Sequence, residues 1–360
     1  MKAWRLHGYG DFRFEEVAVP DVKSGWVLLK VKVVQPGVVD KGHIDGTPHF
    51  LQSRMAKKFA EGIPIQLGHE YCGEVVEIGQ GVTSLKIGDR VSSEAKVSCR
   101  ACRMCQSGQE LQCLSPKNIG VDIPGAFAEY MCMPEWGLVK ISDGPTDNEV
   151  AALQPLSCCL NDVRSAGLRM GDSVVVMGQG AMGLGCLQIA KLSGAGLLIA
   201  VDARPETLVL SRSFGADVVI NSHEKDPIEE IRRFTNGYGV DVVFEAAGGR
   251  KGDGLSGFQT AMQALQIVRV GGKVIQAANL EGIMELDTVL MRTKNVRYIF
   301  PDYGDIESLR QVAFLLASNR IKVGPQISHV LHGLEKLPEA IEITVNKAKH
   351  SATNSAQIVV

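Results

Sequence analysis

The sequence predicts an α/β protein in which a β-rich first domain is joined to a doubly wound parallel sheet. The first part of the chain contains short apolar runs of strand length separated by glycine, such as GWVLLKVKVV and GEVVEIG, with little helical period. Beyond Asp172, strand-like and helix-like runs alternate, which is typical of a parallel sheet with helices on both faces. We therefore expect a first domain over residues 1–150, a second over residues 151–320, and a return of about residues 320–360 to the first.

Within the second domain the periodicity predicts individual elements. We expect helices over 205–214, 227–235 and 258–267, and strands over 217–220, 240–245 and 272–276. A further helix is expected in the run SLRQVAFLLASN, and the terminal run SAQIVV is expected to rejoin the first domain as a strand.

Length and composition exclude several classes of protein. A chain of 360 residues can bury two cores, and it is 45% hydrophobic and 22% charged with a net charge of −2. Acidic and basic residues alternate along it, so the overall charge predicts no nucleic-acid partner. The chain lacks an apolar run of roughly 18 residues, and its charged N-terminus lacks the apolar segment of a signal peptide. We expect a soluble cytoplasmic protein without a membrane segment.

The stretch 172–202 has the pattern of a dinucleotide site. An apolar strand ends in Gly178, Gly180 and Gly183, spaced G-x-G-x-x-G, and a helix-forming run follows. Gly178 would make the tight turn, Gly180 would let a pyrophosphate approach the backbone, and Gly183 would let the helix pack closely on the strand. The pyrophosphate would bind the free N–H groups of the first helical turn, where Met182 lies.

Two further segments complete the predicted cofactor site. Asp202 ends the second strand, where a carboxylate can accept both ribose hydroxyls and would repel a 2′-phosphate, which favours NAD. Arg204 lies close by and leaves NADP as the alternative. The backbone that follows the strand 240–245 lies at the carboxyl edge of the predicted sheet, and it is expected to contact the ribose and the nicotinamide through Ala246, Ala247 and Gly248.

Four cysteines form a cluster with the spacing C-x2-C-x2-C-x7-C: Cys99, Cys102, Cys105 and Cys113. Two residues between thiolates let neighbouring sulfurs reach one tetrahedral ion, and a short loop brings the fourth. Four thiolates close the coordination shell, so the predicted ion is a structural zinc. An iron–sulfur cluster and a set of buried or redox-active cysteines are the alternatives.

The order of these motifs resembles that of the zinc-containing medium-chain alcohol and polyol dehydrogenases. The resemblance covers nearly the whole chain and rests on GHEYCGEVVEIGQGV, GDRV, the four cysteines, GAFAEY, QPLSCCLNDV, the glycine turn and VFEAAGG. It implies a GroES-like catalytic domain, a Rossmann domain, an active site in the cleft between them, a small alcohol or ketone substrate, and a homodimer or homotetramer.

The resemblance also implies a catalytic zinc, although this chain departs from the family at its ligands. His69 and Glu70 match the family's Gly-His-Glu, in which the histidine binds zinc and the glutamate is a ligand or lies next to one. The family normally has Gly-x-Cys-x-Ser/Thr-Asp where this chain reads GVVDKGH from Gly37 to His43, with no cysteine and no hydroxyl. Asp40 is the nearest residue able to replace the cysteine; the alternative is an exposed loop aspartate.

A second ligand position is altered as well. Polyol-type members often have Glu-Pro-Leu where this chain has Gln154 followed by Pro155 and Leu156, and a glutamine oxygen is a weaker, neutral donor. Cys158 or Cys159 could supply a thiolate instead, or both could simply pack in the core. These changes leave the occupancy of the catalytic metal site open.

The missing hydroxyl requires another route for the proton. His43 is a candidate because the unperturbed pKa of histidine is near neutrality, and Lys41 is the other candidate. Between His43 and Gly68 an insert of helical pattern carries Arg54, Lys57 and Lys58. These cations could hold an anionic part of a substrate, or they could form a solvated helix face.

The sequence therefore predicts an NAD-dependent oxidoreductase that interconverts a secondary alcohol and a ketone with the assistance of zinc. The alcohol could be cyclic, and anionic or linked to coenzyme A if the basic insert binds it. Two alternatives stay open. A zinc-independent reductase of a conjugated C=C bond would explain the missing thiolate, and a cofactor-binding protein could have kept the fold after losing catalysis.

Overall fold

The computed structural model describes residues 1–250 and 258–360, which form two compact units. The first unit comprises Met1–Ser157, Gly304–Asn319 and Val323–Val360, and the second comprises Cys158–Tyr303 and Arg320–Lys322. The boundary thus lies at 157/158, where the sequence predicts 150/151. The chain returns to the first unit at Gly304, earlier than the predicted residue 320.

The first stretch of the chain is mostly β-structure with four helices of four to nine residues. Its strands are β1 Lys2–Gly8, β2 Asp11–Glu16, β3 Trp26–Val34, β4 Tyr71–Ile78, β5 Arg90–Ser93, β6 Lys96–Val97, β7 Lys117–Asn118, β8 Tyr130–Pro134 and β9 Leu138–Lys140. Its helices are α1 Val38–Asp45, α2 Gln52–Ala60, the short α3 Arg103–Gln106 and α4 Asp147–Ala151. Helix α2 confirms the predicted helical insert, whereas α1 replaces what the sequence suggests is a loop.

The second stretch alternates helices and strands. Its helices are α5 Leu153–Ala166, α6 Ala181–Leu192, α7 Pro205–Ser213, α8 Pro227–Phe234, α9 Phe258–Ile267 and α10 Thr288–Lys294. Its strands are β10 Ser173–Met177, β11 Leu197–Asp202, β12 Val218–Asn221, β13 Val240–Glu245, β14 Gly249–Arg250, β15 Val268–Gln276, β16 Leu280–Glu281 and β17 Arg297–Ile299. The predicted elements are found, with ends shifted by a residue or two except in β15, which starts earlier.

The last stretch returns to the first unit. It contains α11 Ile306–Ala317, β18 Val330–His332, α12 Leu337–Val345 and β19 Gln357–Val359. Strand β19 pairs antiparallel with β3, through Ile358 opposite Val34 and Val359 opposite Val33. The prediction that the terminal run SAQIVV rejoins the first domain is therefore confirmed.

Each unit has its own sheet. In the first unit seven strands form a sheet in the order β18-β19-β3-β4-β5-β9, with β8 paired to β3. In the second unit six parallel strands follow the order β12-β11-β10-β13-β15-β17. This is the doubly wound order in which the first strand lies centrally and the chain winds outward on both sides, so ligands bind at the carboxyl ends of the central strands.

The central strands of the parallel sheet are almost completely apolar. β10 and β13 contribute Val175, Met177 and Val243 to a core that also contains buried residues of α9. Strands buried on both faces read as continuous apolar runs, which is why the sequence pattern located them well. No helix in the described ranges is long and apolar enough to cross a bilayer.

Candidate active site

The glycine turn has the geometry expected of a phosphate-binding loop. Gly178 adopts φ +87°, and a Cβ there would lie 2.6 Å from backbone atoms of Ala247. A Cβ on Gly183 would lie 1.8 Å from the carbonyl oxygen of Gly178, whereas a Cβ on Gly180 would meet nothing of the described chain within 4 Å. Gly180 precedes α6 and no described side chain caps it, so the first N–H groups of the helix, that of Met182 included, are available to an anion.

Asp202 lies at the end of β11 and holds the turn in place. Its carboxylate accepts hydrogen bonds from the backbone N–H of Gln179 at 2.5 Å and from the backbone N–H of Arg204 at 2.8 Å. The Arg204 Nε lies 3.3 Å from the same carboxylate. A carboxylate in this place would repel the 2′-phosphate of NADP, and it already holds the nearest arginine.

The backbone after β13 is fixed by a buried carboxylate. Glu245 accepts hydrogen bonds from the N–H groups of Ala247 at 3.0 Å and Gly248 at 3.4 Å, and from Thr260 Oγ1 at 2.8 Å and Gln276 Nε2 at 2.5 Å. Burial raises the pKa of Glu245, against the lowering effect of these hydrogen bonds. The loop that carries Ala246, Ala247 and Gly248 is therefore held by one side chain at the carboxyl edge of the sheet.

Replacing Glu245 by glutamine should destabilise the protein in a pH-dependent way. The glutamine amide would face the Gln276 amide donor, which costs about 2 kcal/mol. Because the folded-state pKa of Glu245 is raised above its ordinary value near 4.5, the folded wild type binds a proton that the unfolded chain releases, and its stability falls as pH rises from about 4.5. The variant has no carboxyl group at this position, so its stability does not fall in this way. The difference in Tm between the wild type and the variant should therefore be largest near pH 5 and decrease toward neutral pH. A constant difference across that range would contradict this.

The four cysteines of the lobe lie together, as the sequence predicts. All four sulfurs are within 4.8 Å of one another, with Sγ–Sγ distances of 3.5 Å between Cys102 and Cys105, 3.9 Å between Cys99 and Cys105, and 4.0 Å between Cys102 and Cys113. Zinc–sulfur bonds of about 2.3 Å give tetrahedral edges of about 3.8 Å. Backbone N–H groups of Cys105 and Leu114 lower the pKa of Cys102 to about 6. The cluster fits a structural zinc with all four positions filled by thiolates.

Asp40 is a buried residue of α1 and not the exposed loop aspartate that was the alternative. Only 1% of it is exposed. Its Oδ2 accepts a hydrogen bond from the Gly37 N–H at 2.8 Å, which closes the start of the helix. Its Oδ1 is buried and has no hydrogen-bond partner in the described chain, and it lies 3.8 Å from Nδ1 of His69. The free oxygen thus faces the histidine that the sequence assigns to the metal.

Glu70 lies on the other side of the His69 ring. Its Oε1 is 3.9 Å from His69 Nε2, and its Oε2 accepts a hydrogen bond from Gln35 Nε2 at 2.5 Å. Gln35 is in turn held by Gln357, whose Nε2 donates to Gln35 Oε1 at 2.9 Å. The last strand of the chain therefore helps to orient a candidate ligand, the arrangement by which outer hydrogen bonds usually fix metal-binding side chains.

These residues are candidate zinc ligands. Asp40 Oδ1 faces Nδ1 of the His69 ring and Glu70 Oε1 faces Nε2 across the ring, at distances too long for hydrogen bonds, so a zinc ion bound by all three side chains would require the imidazole or a carboxylate to turn. Burial raises the pKa of Asp40, and it raises that of Glu70 to about 7. A bound dication would stabilise the charged form of these two buried carboxylates. Imidazole and carboxylate are both ligands of catalytic zinc.

The structure separates the two candidate proton acceptors. The Lys41 ammonium lies on the exposed face of α1, ion-paired with Asp45 one turn later, so it is not part of this site. His43 is buried, its ring lies 4.3 Å from that of His49, and neither ring nitrogen has a hydrogen-bond partner in the described chain. Burial lowers the pKa of His43 to about 3. The near-neutral pKa that makes histidine a candidate proton acceptor is that of an unperturbed ring, and this buried imidazole is uncharged at neutral pH.

Gln154 lies beside a residue that the sequence analysis missed. Gln154 Nε2 donates to Oε2 of Glu94 at 3.3 Å, and Glu94 is 4% exposed. Burial raises the pKa of Glu94 to about 8, against hydrogen bonds from Ser157 and Gln154. Gly304 is required here, because its Cβ would lie 2.1 Å from Ser157 Oγ. The sequence signal was a glutamate directly after the four-residue strand β5, and such a residue is more often on the surface.

The basic insert forms the predicted helix, and two of its cations are paired within the first unit. Arg54 lies 2.5 Å from Asp122, and Lys57 lies 3.9 Å from Glu61. These ion pairs do not involve the residues around His69.

Cys159 was considered above as an alternative thiolate ligand. Its Sγ donates a hydrogen bond to the carbonyl oxygen of Met182 at 3.2 Å inside the second unit. This contact does not involve the residues around His69.

Comparison with known proteins gives the chain a family. The description "Alcohol dehydrogenase GroES-like domain" matches residues 23–143, and "Zinc-binding dehydrogenase" matches residues 181–318. An L-threonine 3-dehydrogenase from Bacillus licheniformis is 33% identical over 320 residues, which are 88% of this chain and 87% of that protein. An erythritol/L-threitol dehydrogenase from Mycolicibacterium smegmatis is 38% identical over 254 residues, which are 69% of this chain and 70% of that protein.

A solved structure agrees with these relatives. The 2R,3R-butanediol dehydrogenase from Bacillus subtilis superposes with a TM-score of 0.83 at 27% identity and covers 99% of this chain and 98% of that one. The β-rich unit and the doubly wound unit are thus matched by sequence relatives and by a known fold. The chain belongs to the zinc-containing medium-chain alcohol dehydrogenase family and is an NAD(P)-dependent oxidoreductase of alcohols.

Proposed function

We propose that this protein oxidises a secondary alcohol that carries a hydroxyl or amino group on the neighbouring carbon, with NAD as the hydride acceptor and zinc bound by Asp40, His69 and Glu70. The observation that carries the proposal is the buried, unpartnered Oδ1 of Asp40 beside His69 Nδ1. A carboxylate at this position would take the part of the thiolate that this chain lacks. Threonine, erythritol and butanediol, which give three of the relatives their names, are all alcohols substituted in this way.

The residues of the first unit have separate parts in zinc binding and in proton transfer. When bound, zinc polarises the substrate oxygen and lowers the pKa of the alcohol. Asp40 and Glu70 supply the negative charge that retains the ion, and Gln35 keeps Glu70 in its orientation. His43, uncharged and buried, can accept the hydroxyl proton only transiently, so it passes the proton on and does not store it. Gln154, held by Glu94, is a candidate for a further neutral ligand.

The residues of the second unit would bind the NAD that accepts the hydride. Bound NAD would take the hydride of the carbinol C–H bond at C4 of its nicotinamide, and the hydroxyl proton would leave to solvent, so the products would be a ketone and NADH. The N–H groups at the start of α6 bind the pyrophosphate, and Asp202 binds the ribose. We propose NAD over NADP because the carboxylate of Asp202 already holds Arg204.

A paired assay tests this function. NADH formation would be followed with vicinal diols and with threonine, and NADH consumption with conjugated enones, each with NADP(H) in parallel. We expect turnover of at least one vicinal diol or amino alcohol, with kcat/KM higher for NAD than for NADP. Reduction of enones without any alcohol oxidation would overturn the proposal in favour of a C=C reductase. Binding of NAD with no turnover in either assay would favour a protein that has lost catalysis.

Charge reversal on α2 tests whether the substrate is anionic. Because Arg54 and Lys57 are paired with acidic residues of the same unit, we expect the double variant Lys57→Glu and Lys58→Glu to leave KM for a neutral diol within about twofold of the wild-type value. The same measurement with a phosphorylated or carboxylated alcohol gives the comparison. A KM that rises severalfold for the anionic alcohol alone would show that this helix binds an anionic substrate.

A further inference from the structure

A second group of metal-ligating side chains lies inside the doubly wound unit, apart from both sites described above. Cys159 and Asp162 are three residues apart on α5, and Cys186 is on α6, four residues after Met182. Side chains three or four residues apart lie on one face of a helix, so these two pairs face each other. Cys159 and Cys186 are completely buried and Asp162 is 3% exposed.

The distances within this group are those of a coordination shell. Cys186 Sγ lies 3.6 Å from Asp162 Oδ2, Cys159 Sγ lies 3.9 Å from Met182 Sδ, and the ligand atoms of the two cysteines and Asp162 are all within 4.8 Å of one another. Zinc–sulfur bonds of about 2.3 Å and zinc–oxygen bonds of about 2.1 Å give tetrahedral edges of about 3.5 to 3.8 Å. The two cysteine sulfurs and the Asp162 oxygen are therefore close enough to bind one ion, and Met182 Sδ lies next to one of these sulfurs.

The charge balance of the group points the same way. Within the described residues Asp162 forms no ion pair, and its carboxylate accepts a hydrogen bond from the Cys186 thiol. Burial raises the pKa of Asp162 to about 8, and the neighbouring Cys159 thiol together with burial raises that of Cys186. A buried carboxyl without a cation is costly unless it is protonated or bound to a metal. Two thiols, a carboxyl and a thioether form a soft ligand set that suits zinc or its analogue cadmium.

We propose that Cys159, Asp162 and Cys186, with Met182 as the fourth donor, form an additional site for a thiophilic divalent cation between α5 and α6. Binding would replace the thiol hydrogens of the two cysteines with the ion. It would also break the Cys159 hydrogen bond to the Met182 carbonyl oxygen, which lies in the first turn of the helix that follows the glycine turn. The ion would then join the start of α6 to α5. This inference does not depend on the reaction proposed above.

Metal counting on matched variants tests the site. Reduced wild type, Cys186→Ala and Asp162→Asn would be equilibrated with Zn²⁺ and, separately, with Cd²⁺, freed of excess ion by gel filtration, and analysed for metal per chain by mass spectrometry. Cys132→Ser is the control, because this thiol lies in the first unit and contacts the backbone oxygens of Pro20 and Asp21 there. Asp162→Asn preserves the side-chain volume, so it decides the matter should Cys186→Ala fail to fold.

We expect each folded variant of the group to hold about one ion fewer than the wild type and the control to match the wild type. Anomalous scattering at the zinc edge from wild-type crystals should show a peak among the three side chains. Equal metal content in the wild type and Asp162→Asn would overturn the proposal. A Cys159–Cys186 disulfide in freshly purified protein, seen by mass spectrometry without reductant, would overturn it in favour of a redox pair.

Discussion

Replacing Asp40 by asparagine should lower kcat/KM for alcohol oxidation roughly a thousandfold, which corresponds to about 4 kcal/mol of transition-state stabilisation. Asparagine has nearly the same shape and can still accept the Gly37 N–H hydrogen bond, but it brings no negative charge to the ion beside His69. The loss should appear mainly in kcat, because the ion acts on the charge that develops on the substrate oxygen.

The same helix provides the control for this variant. Asp45→Asn removes an exposed carboxylate whose partner is Lys41, so activity should stay within about twofold of the wild-type value. The metal-free Asp40→Asn protein should be at least as stable as the metal-free wild type, since a neutral amide is easier to bury than a carboxylate. Equal loss of activity in both variants, or loss of activity through unfolding of Asp40→Asn, would contradict a role in binding the metal.

Replacing Gly183 by alanine should destabilise the doubly wound unit and abolish cofactor binding. The new Cβ would lie 1.8 Å from the Gly178 carbonyl oxygen, a backbone atom that cannot move without opening the turn. The expected cost is about 3 kcal/mol, at the upper end for an overpacked site. It should lower Tm by roughly 5–10 °C. Thermal unfolding measured with and without NAD would show both effects.

The Gly180→Ala variant separates the role of the glycine turn in stability from its role in binding NAD. Its Cβ would meet no atom of the described chain within 4 Å, so Tm should be unchanged. The methyl group would nevertheless occupy the space through which the pyrophosphate approaches, and the Kd for NAD should rise roughly tenfold, or about 1.4 kcal/mol. Equal affinity for NAD in Gly180→Ala and the wild type would mean that the pyrophosphate does not bind at this turn.

The sequence predicted the doubly wound unit well because its signals are local. Each strand is a continuous apolar run, and the strand 240–245 and the helix 258–267 were located to the residue. Two of the three glycines have the close packing that the motif implies, since a Cβ on Gly178 or Gly183 would meet backbone atoms of the adjacent strand end or of the turn itself. The cysteine lobe was predictable for the same reason.

The catalytic part was predicted less well because its signals are long-range. Helix α1 contains glycine and two adjacent valines, which are weak helix formers, and it packs against α12, far along the chain, with Asp40, His43 and Ile44 buried. The low pKa of His43 follows from that burial and could not be inferred from the residue type.

Glu94 was missed for a related reason. Its carboxylate is buried against Gln154 and Ser157, about sixty residues later in the chain. The sequence likewise gave no sign that Cys159 and Cys186 would meet. Strand β10 separates α5 from α6 in the chain, and the two helices contact each other only once β10 has joined the sheet. In both cases the sequence shows the residue types but does not show which residues they contact in the fold.

The zinc content of Asp40→Asn, measured beside the wild type and Asp45→Asn, tests most directly whether this aspartate replaces the thiolate of the family. Each protein would be loaded with Zn²⁺, freed of excess ion and analysed for zinc per chain. We predict that Asp40→Asn holds about one zinc fewer than the other two and retains the zinc of the lobe formed by Cys99, Cys102, Cys105 and Cys113. Equal zinc content in all three proteins would contradict the assignment of Asp40 as a ligand.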